Sequence, residues 1–311
     1  MDVPYPPHAL MERVGGPIPS YDEFGAVCRR DFLALLPPSF GWDGARVLDF
    51  GCGAGRTLRH FGFEANRAAE FWACDVDSDS IEWVQQHLSP PFRAFCNGPA
   101  PPLPLPDCSL DLVYSMSVFT HLTEAWSAWL LELHRVLKPG GTLLATTLGP
   151  GAADILGCSW DEDRIGMLVT MPHEPFSAGG PVVFHSQWWI REHWGRAFDV
   201  LDFWPWGFGL GGPQLPRSGQ GCVALRKHEA TLTAEDLDRP ADDPREWAAV
   251  AENLAVVHAR EARWRARGTK AEADLENLTR GRSWRLARAL SRLGHPLAQR
   301  STHSRRQARP G

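Results

Sequence analysis

The chain has 311 residues, 43% hydrophobic and 22% charged, enough for one sizeable globular domain and an appendage. No run approaches the roughly 20 apolar residues that span a bilayer. The proline-rich start lacks the basic end and apolar core of a secretory signal, and seven cysteines at irregular spacing, with no CxxC pair, fit neither a disulfide framework nor a zinc site, so a reducing cytoplasm is the expected compartment.

Residues 20–36 carry Phe24, Val27, Phe32, Leu35 and Leu36 at helical spacing and stop at Pro37-Pro38. Short apolar runs then alternate with helical patterns. Strands are expected at 46–50 (RVLDF), 70–75 (EFWACD), 92–96, 109–115 (SLDLVYS) and 142–148. Helices are expected from 56, at 78–88 and at 124–137, the last ended by Lys138-Pro139-Gly140-Gly141. This βαβ alternation predicts a doubly wound α/β fold, a mostly parallel sheet with helices on both faces. Residues 149–186, rich in Gly, Pro, Asp and His, interrupt the rhythm and read as an irregular insert on the acceptor side. A helix at 187–194 and strands at 198–204 and 221–227 follow. The resulting division is a helical cap (1–44), a catalytic domain (45–228), an acidic linker (229–246) and a helical tail (247–311).

The glycine turn Gly51-Cys52-Gly53-Ala54-Gly55 follows the first strand, at the sheet edge where such folds bind ligands. A dinucleotide fingerprint would place a third glycine where Arg56 stands. Asp49, two residues before the loop, would repel a pyrophosphate and suits a ligand with a positive amino group. S-adenosylmethionine carries both an ammonium and a sulfonium, and glycine lets backbone approach it. Asp75, at the end of the second strand, can accept two ribose hydroxyls. Asp77 is the adjacent candidate, or else the acid that starts the next helix. Asn97 offers a donor and an acceptor to an adenine edge, unless Asn97-Gly98 is an ordinary turn.

Four segments, VLDFGCGAGRTLRHF, FWACDVDSDSIEW, PLPLPDCSLDLVYSMSVFTHL and LHRVLKPGGTLLATTLG, together resemble class I S-adenosylmethionine-dependent methyltransferases over residues 40–228. The resemblance implies a Rossmann-like, seven-stranded sheet with an antiparallel last strand. It also implies cofactor contacts from Asp49, Gly51, Gly53, Asp75 and Asn97, with Ser115 or Met116 at the edge of the methionine end; Cys52 and Gly55 of the same loop, and Asp77, complete the candidate cofactor residues. A narrower likeness, to bacterial methyltransferases linked to surface glycans and glycosyltransferases, rests on SVFTHL, VVFHSQWWIREHWGRAFDVLDFWP and RSWRLARAL. Those relatives often carry Gln-Asp before the last strand, where this chain has Gln220-Gly221.

The implied activity is methyl transfer, with O-methylation of a saccharide or glycoconjugate as the first reading. A small natural product or a protein is the alternative acceptor, and a non-catalytic scaffold for a glycosyltransferase complex is the alternative of another class. Transfer to an alcohol releases a proton, which His121 or, second, His185 could accept. His173, Asp161 and Glu162 in the insert are weaker candidates. Trp188, Trp189, Trp194, Trp204 and Trp206 could offer faces to a sugar or fill a core. No metal is expected.

Residues 260–311 hold 14 Lys/Arg against 4 Asp/Glu, leaving a net −15 on the remainder. An acidic body does not suit nucleic acid. In the tail, Val250, Leu254, Val257, Trp264, Ala271, Leu275 and Leu278 suggest a short coiled coil, interrupted at Glu261 and Gly268. Arg282, Arg285, Arg288 and Arg292 flank Trp284 and leucines, a pattern for an anionic membrane surface or a glycosyltransferase partner.

Overall fold

Strands of this chain are apolar on both faces because helices cover both sides of the sheet, which is the condition for parallel pairing. The computed structural model describes residues 3–14, 21–171 and 180–280. Its first compact unit, residues 1–253, is built on seven strands. They are β1 (Arg46–Phe50), β2 (Glu70–Asp75), β3 (Arg93–Cys96), β4 (Leu110–Ser115), β5 (Leu137–Thr147), β8 (Phe198–Phe208) and β9 (Gln220–Lys227). Their order is β3-β2-β1-β4-β5-β9-β8. Pairing is parallel from β3 to β5, and β9 runs antiparallel to both its neighbours. The Rossmann-like sheet with an antiparallel last strand is therefore as expected.

The chain winds to one side through β2 and β3, then restarts on the other at β4. The loops after β1 and β4 consequently part at the carboxyl edge and open a crevice there. Strand alternation sends Leu48, Phe50 and Val113 into one core, with Phe119, Trp129 and Trp194. Val47, Leu112 and Tyr114 enter the other, with Phe32, Phe61 and Phe71. Each such large side chain contributes roughly 2–3 kcal/mol by burial. Asp49 shares the second face with Tyr114, so β1 delivers one acid into an otherwise apolar layer.

That second face is covered by α2 (Tyr21–Leu35), a 3₁₀ turn at Leu58–Phe61 leading into α3 (Gly62–Arg67), and α4 (Ser78–His87). The short α1 (His8–Glu12) precedes them. The first face carries α5 (Trp126–Val136) and α7 (Gln187–His193). Lys138-Pro139-Gly140-Gly141 does not follow the helix as a loop. Leu137 is already extended and fully buried, so the helix stops at Val136 and the four residues lie within β5, with Gly140 at φ +75°.

The insert is more ordered than its composition suggests. It contains α6 (Pro150–Leu156) and a two-stranded sheet of β6 (Met167–Val169) and β7 (Val183–His185). Backbone bonds tie β7 to the carboxyl edge: Val183 N–H donates to Thr120 C=O (2.9 Å) and His185 N–H to Leu148 C=O (2.8 Å). His173 lies outside the described residues.

Residues 229–246 are not a free linker. They contain α8 (Ala234–Asp238), closed by a Thr233–Asp236 capping box, with Leu237 fully buried. Ser127 Oγ donates to Asp238 (2.9 Å), and the Arg196 guanidinium donates to the carbonyls of Asp236, Leu237 and Arg239 (2.6–2.9 Å). His193 joins the segment through the Leu237 carbonyl (2.8 Å) and Glu246 (3.0 Å). The last helix among the described residues, α9 (Arg245–Arg280), starts there.

Residues 254–311 form the second unit, described through 280 as the rest of α9. Neither Glu261 nor Gly268 breaks the helix, and Leu254, Val257, Trp264 and Leu275 are exposed on it. The basic segment with Arg282, Trp284, Arg285, Arg288 and Arg292 lies outside the described residues. No described helix is long and apolar enough to cross a membrane.

Candidate functional site

The glycine loop turns between β1 and the following 3₁₀ turn through three positive-φ residues, Gly51 (+84°), Gly53 (+51°) and Gly55 (+77°). A Cβ at Gly51 would stand 2.1 Å from Val118 Cγ2, and one at Gly53 would stand 2.5 Å from Val14 Cγ1. The loop is thus held between the segment after β4 and the stretch that ends α1.

Its amides are engaged internally. Gly51 and Cys52 N–H both donate to Cys74 C=O (2.8 and 3.0 Å), Gly55 N–H to Cys52 C=O (3.0 Å), and Gly53 N–H to Asp75 Oδ2 (2.8 Å). A pyrophosphate site needs several free N–H donors, so this loop is not built for one. Cys52 Sγ is buried against Gly53 C=O, and burial beside Asp49 and Asp75 raises its thiol, which leaves it no nucleophilic role.

Asp75 Oδ1 also accepts from Asp77 N–H (2.9 Å). Each oxygen still has a second lone-pair direction, so the carboxylate can take two hydroxyls while holding the loop. Burial raises its pKa, opposed by the amides of Asp77 and Gly53. Asp77 has other partners: Arg13 pairs with it (2.6 and 2.8 Å) and Ser80 Oγ donates to it (2.5 Å). Those contacts hold its carboxyl below the usual range despite partial burial. The structure therefore makes Asp77 the anchor of α1 and of the start of α4.

Asp49 is almost fully buried, and Tyr114 O–H donates to its Oδ2 (2.9 Å). Burial pushes its pKa up to about 8, more than the Tyr114 bond lowers it, and Asp75 nearby adds to the rise. At pH 7 such a group is mostly neutral, and a cation placed beside it would favour the ionised form. Asn97 Nδ2 donates to Gly98 C=O (2.8 Å), while its Oδ1 is buried without a partner. Ser115 Oγ, at the end of β4, is buried and unpartnered as well, and Met116 beside it is half-buried. A nucleoside with an exocyclic amine and an amino-acid end matches this set, so the residues present fit S-adenosylmethionine.

On the other side of the β4 loop the polar groups are uncharged. Ser117, at φ +58°, accepts from Gln220 Nε2 (2.6 Å), and its N–H donates to Thr146 Oγ1 (2.7 Å). Thr120 Oγ1, Thr147 Oγ1, Gln220 Oε1 and both ring nitrogens of His185 are buried without partners. Gly221 cannot carry a side chain, since a Cβ there would lie 2.6 Å from Trp204 C=O and 3.0 Å from Thr147 Oγ1.

His121 sits three residues beyond Val118, and its Nδ1 lies 2.6 Å from Pro181 C=O. A carbonyl only accepts, so Nδ1 carries the proton and Nε2 is the basic nitrogen. Burial lowers its pKa, so the ring is neutral. His185 is sealed between Trp189 and Trp194, and burial takes its pKa down to about 3, a poor proton acceptor. Trp188, Trp189 and Trp194 are core, and Trp206 Nε1 bonds the carbonyls of Pro213 and Leu215 (3.1 and 3.2 Å). Glu162 accepts from Gln187 N–H (2.8 Å) and Trp160 Nε1 (3.1 Å), a structural role. Sequence reasoning missed Ser117, Thr147 and Gln220, whose meeting depends on pairing across the sheet.

Residues 48–145 match the family described as a methyltransferase domain. Among similar proteins, a malonyl-[acyl-carrier protein] O-methyltransferase of Serratia marcescens is 30% identical over 143 residues, 46% of this chain and 54% of the relative. A fatty-acid O-methyltransferase of Mycolicibacterium smegmatis is 33% identical over 108 residues, 35% of this chain and 39% of the relative. The chain thus spans about half, or less, of the curated relatives it matches. The methyltransferase solved in complex with the Haloferax volcanii Trm112 methyltransferase activator shares the fold, with TM-score 0.50 and 16% identity over 73% of this chain and 100% of that one. Neither curated relative is named for a glycan.

Proposed function

We propose, from the premise that residues 45–228 form a class I S-adenosylmethionine-dependent methyltransferase domain, that the chain transfers a methyl group to an acceptor oxygen. The observation that carries the cofactor is the glycine loop whose amides are engaged while Asp49, Asp75 and the unpartnered Asn97 Oδ1 stand around it. Asp75 would take the ribose hydroxyls, Asn97 the adenine amine and Asp49 the ammonium. When bound, S-adenosylmethionine supplies an electrophilic methyl group and loses its positive charge in the transfer. The chain's own part is to orient the acceptor in line and exclude water. His121 Nε2, with the ring fixed through Nδ1, is the proposed acceptor of the released proton.

A hydroxyl acceptor, such as a saccharide or glycoconjugate, is supported by the uncharged set Thr120, Thr147 and Gln220, whose side-chain types can exchange hydrogen bonds with hydroxyls. A carboxyl acceptor is the second reading, favoured by the names of the two O-methyltransferase relatives. Transfer of a labelled methyl group to panels of saccharides, fatty acids and acyl-carrier protein, followed by alkali, separates them: a methyl ether survives and a methyl ester is cleaved. Absence of any adenosyl-ligand binding in calorimetry would leave only the scaffold reading. The basic stretch beyond residue 260 is the proposed contact to an anionic membrane on the cytoplasmic side. Equal flotation of the full chain and of a chain ending at Asn253 on anionic liposomes would remove that contact.

A further inference from the structure

Among the described residues, α9 presents an apolar stripe: Leu254, Val257, Trp264 and Leu275 are exposed, Trp264 at 60%. The stripe follows alternating steps of three and four. That heptad places Leu254, Glu261, Gly268 and Leu275 at a and Val257, Trp264 and Ala271 at d. The two irregular positions, Glu261 and Gly268, say what the stripe fits. Glycine weakens a helix interior more than any residue except proline. A Cβ at Gly268 would meet nothing within 4 Å, so packing within the described chain gives no reason for a glycine there.

Two copies of such a helix can pair in either direction. Parallel and in register, Glu261 meets Glu261, two glycines at 268 leave a hole in the seam, and Arg260 at g faces Arg265 at e. Antiparallel pairing centred on Ala266 sets a positions against d positions instead. Trp264 then stands opposite Gly268, Glu261 opposite Ala271 and Val257 opposite Leu275, each pair occurring twice by symmetry. The largest side chain of the stripe thus meets its missing one. On the flanks Arg260 faces Asp274 and His258 faces Glu272. Arg265 and Arg267 each approach their own counterpart, but both are occupied within their own helix. Arg265 pairs with Glu261 (2.5 Å), and the Arg267 guanidinium lies 5.8 Å from the centroid of the Trp264 ring. Sliding the antiparallel pair by one heptad brings Trp264 against Glu261 or Leu275 and loses the match to Gly268.

We propose that α9 is a homodimerisation helix, pairing antiparallel with α9 of a second copy of this chain about Ala266, with Trp264 of each copy filling the gap at Gly268 of the other. The seam from Val257 to Leu275 is roughly 30 Å long. It uses no residue of the crevice, so it stands or falls separately from the methyltransferase reading.

Sedimentation velocity of the full chain over a concentration series tests this. The wild type is expected to show a reversible monomer–dimer equilibrium, and Trp264→Ala should raise the dimer Kd roughly tenfold or more. Gly268→Leu decides the orientation. Leucine raises helix propensity, so loss of helix cannot explain a weaker dimer. Antiparallel pairing predicts a Kd higher by roughly tenfold or more, because the new side chain takes the space of Trp264. Parallel pairing would instead fill the hole and tighten the dimer. Arg260→Asp should weaken the dimer, and Arg260→Asp combined with Asp274→Arg should recover most of the loss. A wild type that stays monomeric throughout, a dimer indifferent to Trp264→Ala, tightening by Gly268→Leu, or failure of the charge swap to rescue would each overturn the proposal.

Discussion

Binding of the cofactor should release a proton from Asp49, and the amount follows from its surroundings. With a pKa of about 8, the free carboxyl is about nine-tenths protonated at pH 7. An ammonium placed beside it favours the ionised form, so binding at pH 7 should expel close to one proton per site. The assay is calorimetry with S-adenosylhomocysteine at pH 7 in phosphate and in Tris, whose ionisation enthalpies differ. The slope of observed enthalpy against buffer ionisation enthalpy counts the protons. Between pH 6 and 7 the apparent Kd should fall by roughly tenfold, because each unit raises the ionised fraction by about that factor. Asp49→Asn should lose both effects.

The sign in the free protein is opposite in consequence. A folded pKa raised from 3.8 to about 8 makes Asp49 stabilising when protonated. That contribution is complete below about pH 4 and lost as pH rises through 8. The cofactor's cation therefore matters most near neutrality, where the buried carboxyl is being forced to ionise. Buffer-independent heats together with a Kd that is flat from pH 6 to 8 would refute the reasoning, since either Asp49 is then already ionised or the ammonium lies elsewhere.

Asp75→Ala should weaken S-adenosylhomocysteine binding more than tenfold and also cost about 1–3 kcal/mol in denaturant unfolding, because the amides of Gly53 and Asp77 lose their acceptor. Gly51→Ala combines a φ of +84° with a 2.1 Å approach to Val118, so a loss above about 2 kcal/mol and weakened binding are expected; a wild-type unfolding midpoint would contradict the close packing. His121→Ala should reduce kcat at least tenfold while leaving S-adenosylhomocysteine affinity within about twofold, a split measured by steady-state kinetics and calorimetry. His185 has a folded pKa of about 3, so its neutral burial stabilises above the unfolded value near 6.5 and the contribution is lost as pH falls toward 3. At pH 5 that loss is about 2 kcal/mol, and His185→Phe should lack it, which urea titrations at pH 5 and pH 7.5 would show.

The sheet was legible because its strands are buried on both faces and leave continuous apolar runs between helical stretches. The candidate cofactor residues could be grouped from sequence for a related reason. Asp49, the loop and Asp75 lie within one βαβ unit, so their order in sequence maps onto their order in space. Three features escaped. The pairing of Gln220 with Ser117 joins residues 103 positions apart and follows from the antiparallel return of β9 along β5, which spacing does not reveal. Asp77 stands at the start of α4, one of its two expected roles, but its Arg13 partner comes from a segment 64 positions upstream, which spacing does not show. The acidic stretch 229–246 looked like a linker because Leu237 and the Thr233 cap are few among charges, although together they suffice to seat α8.

The division of charge across the crevice bears on how the transfer would be driven. The half proposed for the cofactor holds the acids Asp49 and Asp75, which would suit an ammonium and the ribose hydroxyls. The acceptor half offers hydroxyls, an amide and two neutral imidazoles. In such an environment an acceptor anion formed in advance would meet no cationic side chain among the acceptor-half residues named above. Proton loss is then best coupled to methyl transfer, when the sulfonium's charge disappears and the oxygen gains its bond. A neutral histidine with its Nδ1–H held by a carbonyl suits that timing, because the carbonyl fixes the ring and the proton is taken late. His185, pushed much further down by burial, would cost far more to convert to an imidazolium, which leaves His121 as the histidine proposed for the proton transfer.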